Sequence, residues 1–155
     1  MIKLIVLDVD GVLTDGNIYY DNLGNEYKSF NVKDGYGIKR AITSGIEVAV
    51  ISGRSSKTVE KRCKELGITK VFQGVSDKLS VLRQLCDELQ VSFEEVAAMG
   101  DDLPDIPILS VVGFSGAPAD AVEEVKKVVR FCCKREGGRG AVREFIDHIL
   151  SLNGN

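Results

Sequence analysis

Two carboxylates close the first strand pattern of this chain, at a spacing that suits metal binding and acid–base chemistry. Asp8 follows directly on the apolar run that begins at Ile2, and Asp10 comes two residues later. Because side chains alternate along an extended chain, Asp8 and Asp10 are predicted to share one face. Two acids so placed can divide labour, one as nucleophile or metal ligand and the other as proton donor and acceptor.

The simpler alternatives for this stretch are a turn and a calcium loop. Asp and Gly supply turn chemistry after a strand, and Asp10-Gly11 fits that use. A calcium loop needs a third ligand at the next alternate position, which is Val12 in this chain. The calcium loop is therefore disfavoured, whereas the turn stays open at this point.

A second acidic group follows the strand pattern that ends at Met99. It consists of Asp101, Asp102 and Asp105 after Gly100. Repulsion within such a group raises carboxylate pKa values unless a cation neutralises it. Hard oxygen ligands with room for water suit Mg²⁺, so the group predicts a magnesium site. An acidic helix N-terminus would account for Asp105 alone but does not require all three acids.

Further polar residues follow a strand pattern or begin a helix. Ser52 and Arg54 flank Gly53 after the strand pattern that ends at Ile51, where hydroxyl, backbone and guanidinium donors suit a phosphate or carboxylate. Lys78 opens a helix, where a cation opposes the dipole and so favours a bound anion. Taken singly, Ser52 could be a neighbour of a helix cap and Lys78 a solvated surface group.

The elements that must position these residues form an α/β pattern. Continuous apolar runs, typical of strands buried on both faces, alternate with amphipathic helical patterns. We predict a three-layer Rossmann-like fold, with a parallel sheet covered by helices on both faces. Ligands bind beyond the carboxyl ends of the strands in such sheets, so the polar residues described above should meet in one crevice.

Two segments fall outside this alternation. Residues from about 16 to 30 are predicted to form a β-hairpin after the first strand. The hairpin could be a flap over the site, could pack its aromatic side chains on another subunit, or could pack on its own domain. Residues from about 134 to 155 are predicted to form a flexible, basic, glycine-rich arm and a last helix. The arm could be a linker, or could reach an anionic substrate in its own or a neighbouring subunit.

Composition limits the function classes. The 155 residues, 44% hydrophobic and 28% charged, fit a single globular domain. A net charge of -3 without blocks of like charge gives no support for nucleic-acid binding. No apolar run suits a membrane span, and Met1 leads into a strand pattern rather than a signal peptide. With four cysteines that lack C-x-x-C spacing, these features predict a cytoplasmic protein with free thiols.

Together these motifs resemble the haloacid dehalogenase superfamily of phosphatases, across essentially the whole chain. The resemblance implies that Asp8 is the nucleophile that forms an aspartyl-phosphate and that Asp10 is the general acid and base. It also implies that Ser52 and Lys78 hold the phosphoryl group.

The same resemblance implies a Mg²⁺ site and supporting acids. The implied ligands are the carboxylates of Asp8 and Asp101 and the backbone carbonyl of Asp10, with Asp102 and Asp105 as supporting acids.

Members with cap domains carry long insertions that this chain lacks, so it resembles a capless member. The stretches 8–16, 30–37, 51–55 and 137–144 resemble the 3-deoxy-D-manno-octulosonate 8-phosphate phosphatases. That family implies hydrolysis of an eight-carbon 2-keto-3-deoxy sugar-acid phosphate in lipopolysaccharide precursor synthesis. It also implies a homotetramer with hairpins at its centre and a neighbour's arm over the site. The implied substrate-binding residues are Lys33, Asp34, Arg54, Arg62 and Arg139.

Two alternatives stay open. Arg54 favours the eight-carbon substrate, since phosphatases for nine-carbon 2-keto-3-deoxy sugar-acid 9-phosphates of the KDN or sialic acid type usually have Glu there. The alternative of another class is a non-catalytic phospho-acceptor or assembly domain, which would have little need for Asp10.

Overall fold

The computed structural model describes the whole chain, residues 1–155. The strands are β1 Leu4–Leu7, β2 Tyr19–Tyr20, β3 Glu26–Tyr27, β4 Glu47–Ile51, β5 Lys70–Phe72, β6 Val96–Met99, β7 Phe114–Ala117 and β8 Phe131–Cys132. The helices are α1 Val32–Thr43, α2 Lys57–Leu66, α3 Lys78–Leu89, α4 Ile106–Leu109, α5 Glu123–Val128 and α6 Ala141–Leu152. No helix combines the length and the apolar character needed to cross a bilayer.

A six-stranded parallel sheet organises the chain, in the order β5-β4-β1-β6-β7-β8. The first strand is central, with Leu7 opposite Val50 on one side and Met99 on the other. The carboxyl ends of β1, β4 and β6 therefore lie side by side, which brings the residues that follow these strands to one edge.

Helices cover both faces of the sheet, so the predicted three-layer α/β fold is confirmed. Ile5 and Leu7 of β1 pack into a core cluster of 24 buried residues, which also holds buried residues of α1, α2 and α6. Leu4 and Val6 point to the opposite face and join 14 buried residues that include side chains of α3, α4 and α5. This alternation explains why the strand is apolar at every position.

The first helix begins earlier than its apolar pattern indicates. The sequence predicts a start near Tyr36, whereas α1 starts at Val32. Asn31 is the reason, because its side-chain oxygen accepts hydrogen bonds from Lys33 N at 2.8 Å and Asp34 N at 3.4 Å. This N-cap satisfies amide groups that the first turn leaves without a partner.

The predicted hairpin is present, although its strands are shorter than expected. Tyr19 pairs with Tyr27, and Tyr20 pairs with Glu26. The connecting loop is held by Asp21, whose Oδ1 accepts hydrogen bonds from the amides of Leu23 and Asn25 at 2.9 and 2.8 Å. Whether the hairpin acts as a flap stays a prediction.

The glycine-rich segment before α6 is packed, and is not the flexible arm that its composition indicates. Gly137 N donates to Asp120 Oδ1 at 3.0 Å, and Gly138 N donates to Val12 O at 3.1 Å. A Cβ on Gly137 would lie only 1.9 Å from Gly11 O. The glycines therefore allow this segment to lie directly against the loop that follows β1.

Candidate active site

The loop after β1 holds both sequence-predicted acids, but not by strand alternation. Residues 9–13 wind into one π-type turn, in which Asp10 (φ -70°, ψ 121°) and Gly11 (φ 85°) leave helical geometry. A side chain at Gly11 would be strained at this positive φ. It would also clash with the Asp101 carboxylate, which would lie 1.9 Å from an added Cβ. Asp8 and Asp10 thus face the same cavity because of a turn, so their predicted sharing of a strand face is wrong.

Lys78 lies between two carboxylates from different loops. Its ammonium is 2.7 Å from Asp105 Oδ1 and 3.2 Å from Asp8 Oδ1, and its side chain is only 6% exposed. The same Asp8 oxygen accepts a hydrogen bond from Val9 N at 2.8 Å. Such pairing is what allows a buried ammonium to stay charged. The sequence alone would also allow Lys78 to be a solvated surface group, and the structure shows that it is not one.

Asp105 orients the loop after β6. Its Oδ2 accepts hydrogen bonds from Asp101 N at 3.0 Å and Asp102 N at 3.3 Å, while Oδ1 binds Lys78. Asp102 caps the next turn by accepting from Leu103 N at 2.7 Å. These contacts fit the supporting roles predicted for Asp102 and Asp105.

Burial and crowding raise the pKa values of the acids at the centre of the site. The pKa of Asp8 lies well above its usual value, chiefly because of burial and then because of repulsion by Asp105. Burial, followed by Asp105 and Asp102, raises the pKa of Asp101 to about 7. Burial by itself lowers the pKa of Lys78, but Asp8 and Asp105 outweigh it and the net shift is upward. The protein therefore brings more negative charge together than its own cations neutralise.

This charge imbalance fits a divalent cation. Ligand oxygens of Asp8, Asp101 and Asp105 lie within 4.8 Å of one another. Asp105 is already engaged with Lys78 and two backbone amides, so Asp8 and Asp101 are the carboxylates best placed to bind a metal. An all-oxygen donor set of this kind suits a hard cation such as Mg²⁺.

A pH prediction follows from Asp101. Its pKa is 3.8 when unperturbed and about 7 in the folded, metal-free protein. The folded protein therefore binds the Asp101 proton more tightly than the unfolded chain does. This proton-linked stabilisation of the fold is fully present below pH 3.8 and is lost as pH rises through about 7. Relative to wild type, Asp101→Asn is therefore expected to stabilise the metal-free protein at pH 8 by roughly 1–2 kcal/mol, or about 2–8 °C in Tm, and to have less effect at pH 5.

Thermal unfolding with EDTA and with Mg²⁺ measures this effect. Mg²⁺ is expected to raise the Tm of wild type at pH 8 and to leave Asp101→Asn nearly unchanged, because the metal binds the ionised Asp101 carboxylate and offsets its repulsion by the neighbouring acids. Equal Mg²⁺ stabilisation of both proteins would contradict the role of Asp101 as a ligand.

The acids and Lys78 line one cavity of about 500 Å³ at the carboxyl ends of the strands. Five carboxylates and two cations contribute to its lining, and Val75 is the one hydrophobic residue among the lining residues. The lining residues are Asp8, Asp10, Gly16, Ser52, Gly53, Arg54, Val75, Ser76, Lys78, Asp101, Asp102, Pro104 and Asp105. The sequence prediction that these groups meet at one crevice is confirmed. An anionic substrate would need a bound cation to offset the excess of carboxylates.

The hairpin adds a cation that the sequence analysis missed. Lys28 Nζ is 2.7 Å from Asp10 Oδ1, and the Lys28 side chain is 1% exposed. Arg54 contacts the same region, with Nη2 2.6 Å from Glu26 Oε1 and Nε 3.8 Å from Asp10 Oδ2. The signal in the sequence was the two-residue spacing of Glu26 and Lys28, which puts both on one face of a strand.

The other residues predicted to bind substrate do not line this cavity. Asp34 is 1% exposed and accepts a hydrogen bond from Arg143 N at 2.9 Å, so it anchors the start of α6. Arg62 lies over the ring of Phe30, 5.8 Å from its centroid. Lys33 and Arg139 are exposed outside the cavity. A role for these residues at the site of a neighbouring subunit stays a prediction.

Comparisons with known proteins agree with this geometry. Residues 67–146 match the model of a family described as haloacid dehalogenase-like hydrolase. The chain is 51% identical over 153 residues to 3-deoxy-D-manno-octulosonate 8-phosphate phosphatase of Escherichia coli K12, covering 99% of this chain and 81% of the relative.

Solved structures give the same result. The phosphatase of that name from Yersinia pestis superposes with a TM-score of 0.97 at 49% identity, over 99% of this chain and 83% of the other. The one from Moraxella catarrhalis, in complex with a magnesium ion, a phosphate ion and KDO, gives a TM-score of 0.95 at 43% identity, over 97% of this chain and 86% of the other.

Proposed function

Because this chain belongs to the haloacid dehalogenase-like hydrolases, and within them to the family of 3-deoxy-D-manno-octulosonate 8-phosphate phosphatases, we propose that it is a Mg²⁺-dependent phosphatase of that substrate. The observation that carries the proposal is the placement of Asp8, Lys78 and Asp101 in the lining of one cavity. A carboxylate nucleophile, a cation for phosphoryl oxygens and a metal ligand are what phosphoryl transfer requires.

Asp8 is the nucleophile in this proposal. Its carboxylate attacks phosphorus, the ester P–O bond breaks, and Asp10 gives its proton to the departing sugar oxygen. Asp10 then takes a proton from water as that water attacks the phosphorus of the aspartyl-phosphate, which releases phosphate and restores Asp8. Asp10 alternates between acid and base, so both steps use one residue and no net proton is lost.

Other residues hold the phosphoryl group. Lys78 already lies within 3.2 Å of Asp8, so its ammonium also faces the transferred group. Ser52 lines the cavity at the end of β4 and offers a hydroxyl to the same oxygens. Bound Mg²⁺, held by Asp8, Asp101 and the Asp10 carbonyl, would neutralise the carboxylates and the phosphoryl charge.

The sugar acid carries a second anionic group, its carboxylate. Arg54 lines the same cavity as Lys78, but its side chain is 49% exposed whereas that of Lys78 is 6% exposed. A guanidinium at the mouth can bind a carboxylate in a bidentate manner. Arg54 is therefore proposed to recognise the acid end of the substrate.

We also propose a homotetrameric, cytoplasmic enzyme. Tyr19, Tyr20 and Tyr27 of the hairpin are exposed, with Tyr20 at 65%, so the hairpin presents aromatic surface to another copy of the chain. All four cysteines are free thiols, as in proteins of reducing compartments. Sedimentation velocity at micromolar concentration measures the assembly.

A phosphate-release panel tests the function. The substrates are the eight-carbon sugar-acid 8-phosphate, a nine-carbon 2-keto-3-deoxy sugar-acid 9-phosphate and glucose 6-phosphate, each with Mg²⁺ and with EDTA. We expect kcat/KM to be highest for the eight-carbon substrate, by about tenfold or more over the others, and to vanish with EDTA. Preference for the nine-carbon substrate would overturn the substrate assignment. Absence of Mg²⁺-dependent release from all three would favour the non-catalytic alternative.

A further inference from the structure

Lys28 is a buried cation whose salt-bridge partners both lie at the active-site mouth. Its ammonium is 2.7 Å from Asp10 Oδ1 and 3.8 Å from Glu26 Oε1, and these are its two ion pairs. The Lys28 side chain is 1% exposed, whereas the Asp10 side chain is 25% exposed. Burying an ammonium is costly unless a carboxylate compensates for it, so this contact is specific rather than a chance surface pair.

The backbone around Asp10 does not by itself fix its carboxylate. Asp10 stands in an extended conformation inside an otherwise helical turn, followed by Gly11 at positive φ. Among the polar contacts of the Asp10 side chain, the lysine contact is the short one, since Arg54 Nε is 3.8 Å from Oδ2. Lys28 therefore holds Oδ1 and leaves Oδ2 toward the cavity side, where Arg54 lies.

We propose that Lys28 is a positioning residue for catalysis, which the hairpin supplies to hold the Asp10 carboxylate where it can reach the leaving oxygen. The inference rests on the proposed function, in which Asp10 is the general acid and base. A general acid must lie within hydrogen-bond reach of the atom that it protonates, and a displacement of about 1 Å can lower the rate about a hundredfold.

Glu26 extends the same contact to substrate recognition. Its Oε1 lies 2.6 Å from Arg54 Nη2 and 3.8 Å from Lys28 Nζ. The second half of the hairpin, residues 26–28, thus contacts both the acid that serves the leaving group and the guanidinium that faces the sugar acid. This gives the hairpin a direct part in the chemistry of its own subunit, separate from any part in assembly.

The first test compares leaving groups. The sugar of a sugar phosphate would leave as an alkoxide and needs the proton from Asp10, whereas the p-nitrophenolate of p-nitrophenyl phosphate leaves readily without it. Lys28→Met is expected to lower kcat/KM for the eight-carbon sugar-acid phosphate about tenfold to a hundredfold, and for p-nitrophenyl phosphate less than about threefold. Lys28→Arg should recover part of the loss. Lys127→Met, on the exposed face of α5, is the matched control and should match wild type.

The second test combines substitutions on the sugar-acid phosphate alone. Since Lys28 acts through Asp10, Lys28→Met should cause no further loss in an Asp10→Asn background, measured in single turnovers. Thermal unfolding of each variant confirms that it is folded. If Lys28→Met does not fold, Lys28→Gln and Lys28→Arg are compared in the same cycle.

The outcomes separate this inference from the proposed function. If the wild-type protein releases no phosphate, the proposed function itself is wrong. If the wild type is active but Lys28→Met lowers kcat/KM equally for both substrates, the role of Lys28 is wrong and the proposed phosphatase function still holds. The same conclusion follows if the losses caused by Lys28→Met and Asp10→Asn are independent in the double variant.

Discussion

Replacement of Asp8 with Asn is expected to abolish phosphate release and to leave the fold intact. The amide keeps the shape of the carboxylate and can still accept from Val9 N, but it cannot attack phosphorus as an anion. The covalent route is then closed, and we expect kcat to fall at least about 10⁴-fold. Phosphate release from the eight-carbon sugar-acid phosphate measures the loss, and circular dichroism and thermal unfolding measure the fold.

Asp87→Asn is the matched control, because it makes the same chemical change on the exposed face of α3. It should retain wild-type activity. Turnover by Asp8→Asn within about tenfold of wild type would exclude Asp8 as the nucleophile.

Lys78→Met is expected to reduce both activity and stability. The substitution keeps the length of the side chain but removes the cation that lies 2.7 Å from Asp105 and 3.2 Å from Asp8. Breaking a buried ion pair by removing one partner typically destabilises by about 3–5 kcal/mol. Loss of one group that stabilises transition-state charge should lower kcat by about 10²–10³.

The stability loss should depend on pH. The pKa values of Asp8 and Asp101 are raised even with Lys78 present, and removal of the lysine raises them further. Protons therefore neutralise more of this carboxylate charge at pH 5 than at pH 8, and we expect a smaller loss of stability at pH 5. Urea unfolding at the two pH values measures it, with Lys127→Met as control. A Lys78→Met protein that is as stable and active as wild type would contradict the arrangement of the site.

The sequence predicted the fold because its strands are continuous apolar runs, and because a polar or acidic residue follows three of them within two residues. The runs that end at Leu7, Ile51 and Met99 bring Asp8, Ser52 and Asp101 to one edge of the sheet. That inference needs only the rule that parallel strands end together. The core of the candidate site was accessible from the sequence for this reason.

Contacts between distant parts of the chain were not accessible in the same way. Lys28 reaches Asp10 across 18 residues through a hairpin whose orientation local patterns do not determine. Asp34 was grouped with the substrate residues, yet its partner Arg143 lies 109 residues away. The glycines at 137 and 138 indicated flexibility, whereas they allow close packing on the loop of Asp10.

The stereochemistry of phosphorus tests the central claim most directly. If Asp8 carries the phosphoryl group, transfer to Asp8 and transfer to water are two in-line displacements, each of which inverts phosphorus. Hydrolysis, in isotopically labelled water, of a phosphorothioate analogue of the substrate made chiral at phosphorus with the other two oxygen isotopes should then release chiral thiophosphate with overall retention of configuration. Overall inversion would show a single displacement by water and would contradict the aspartyl-phosphate mechanism.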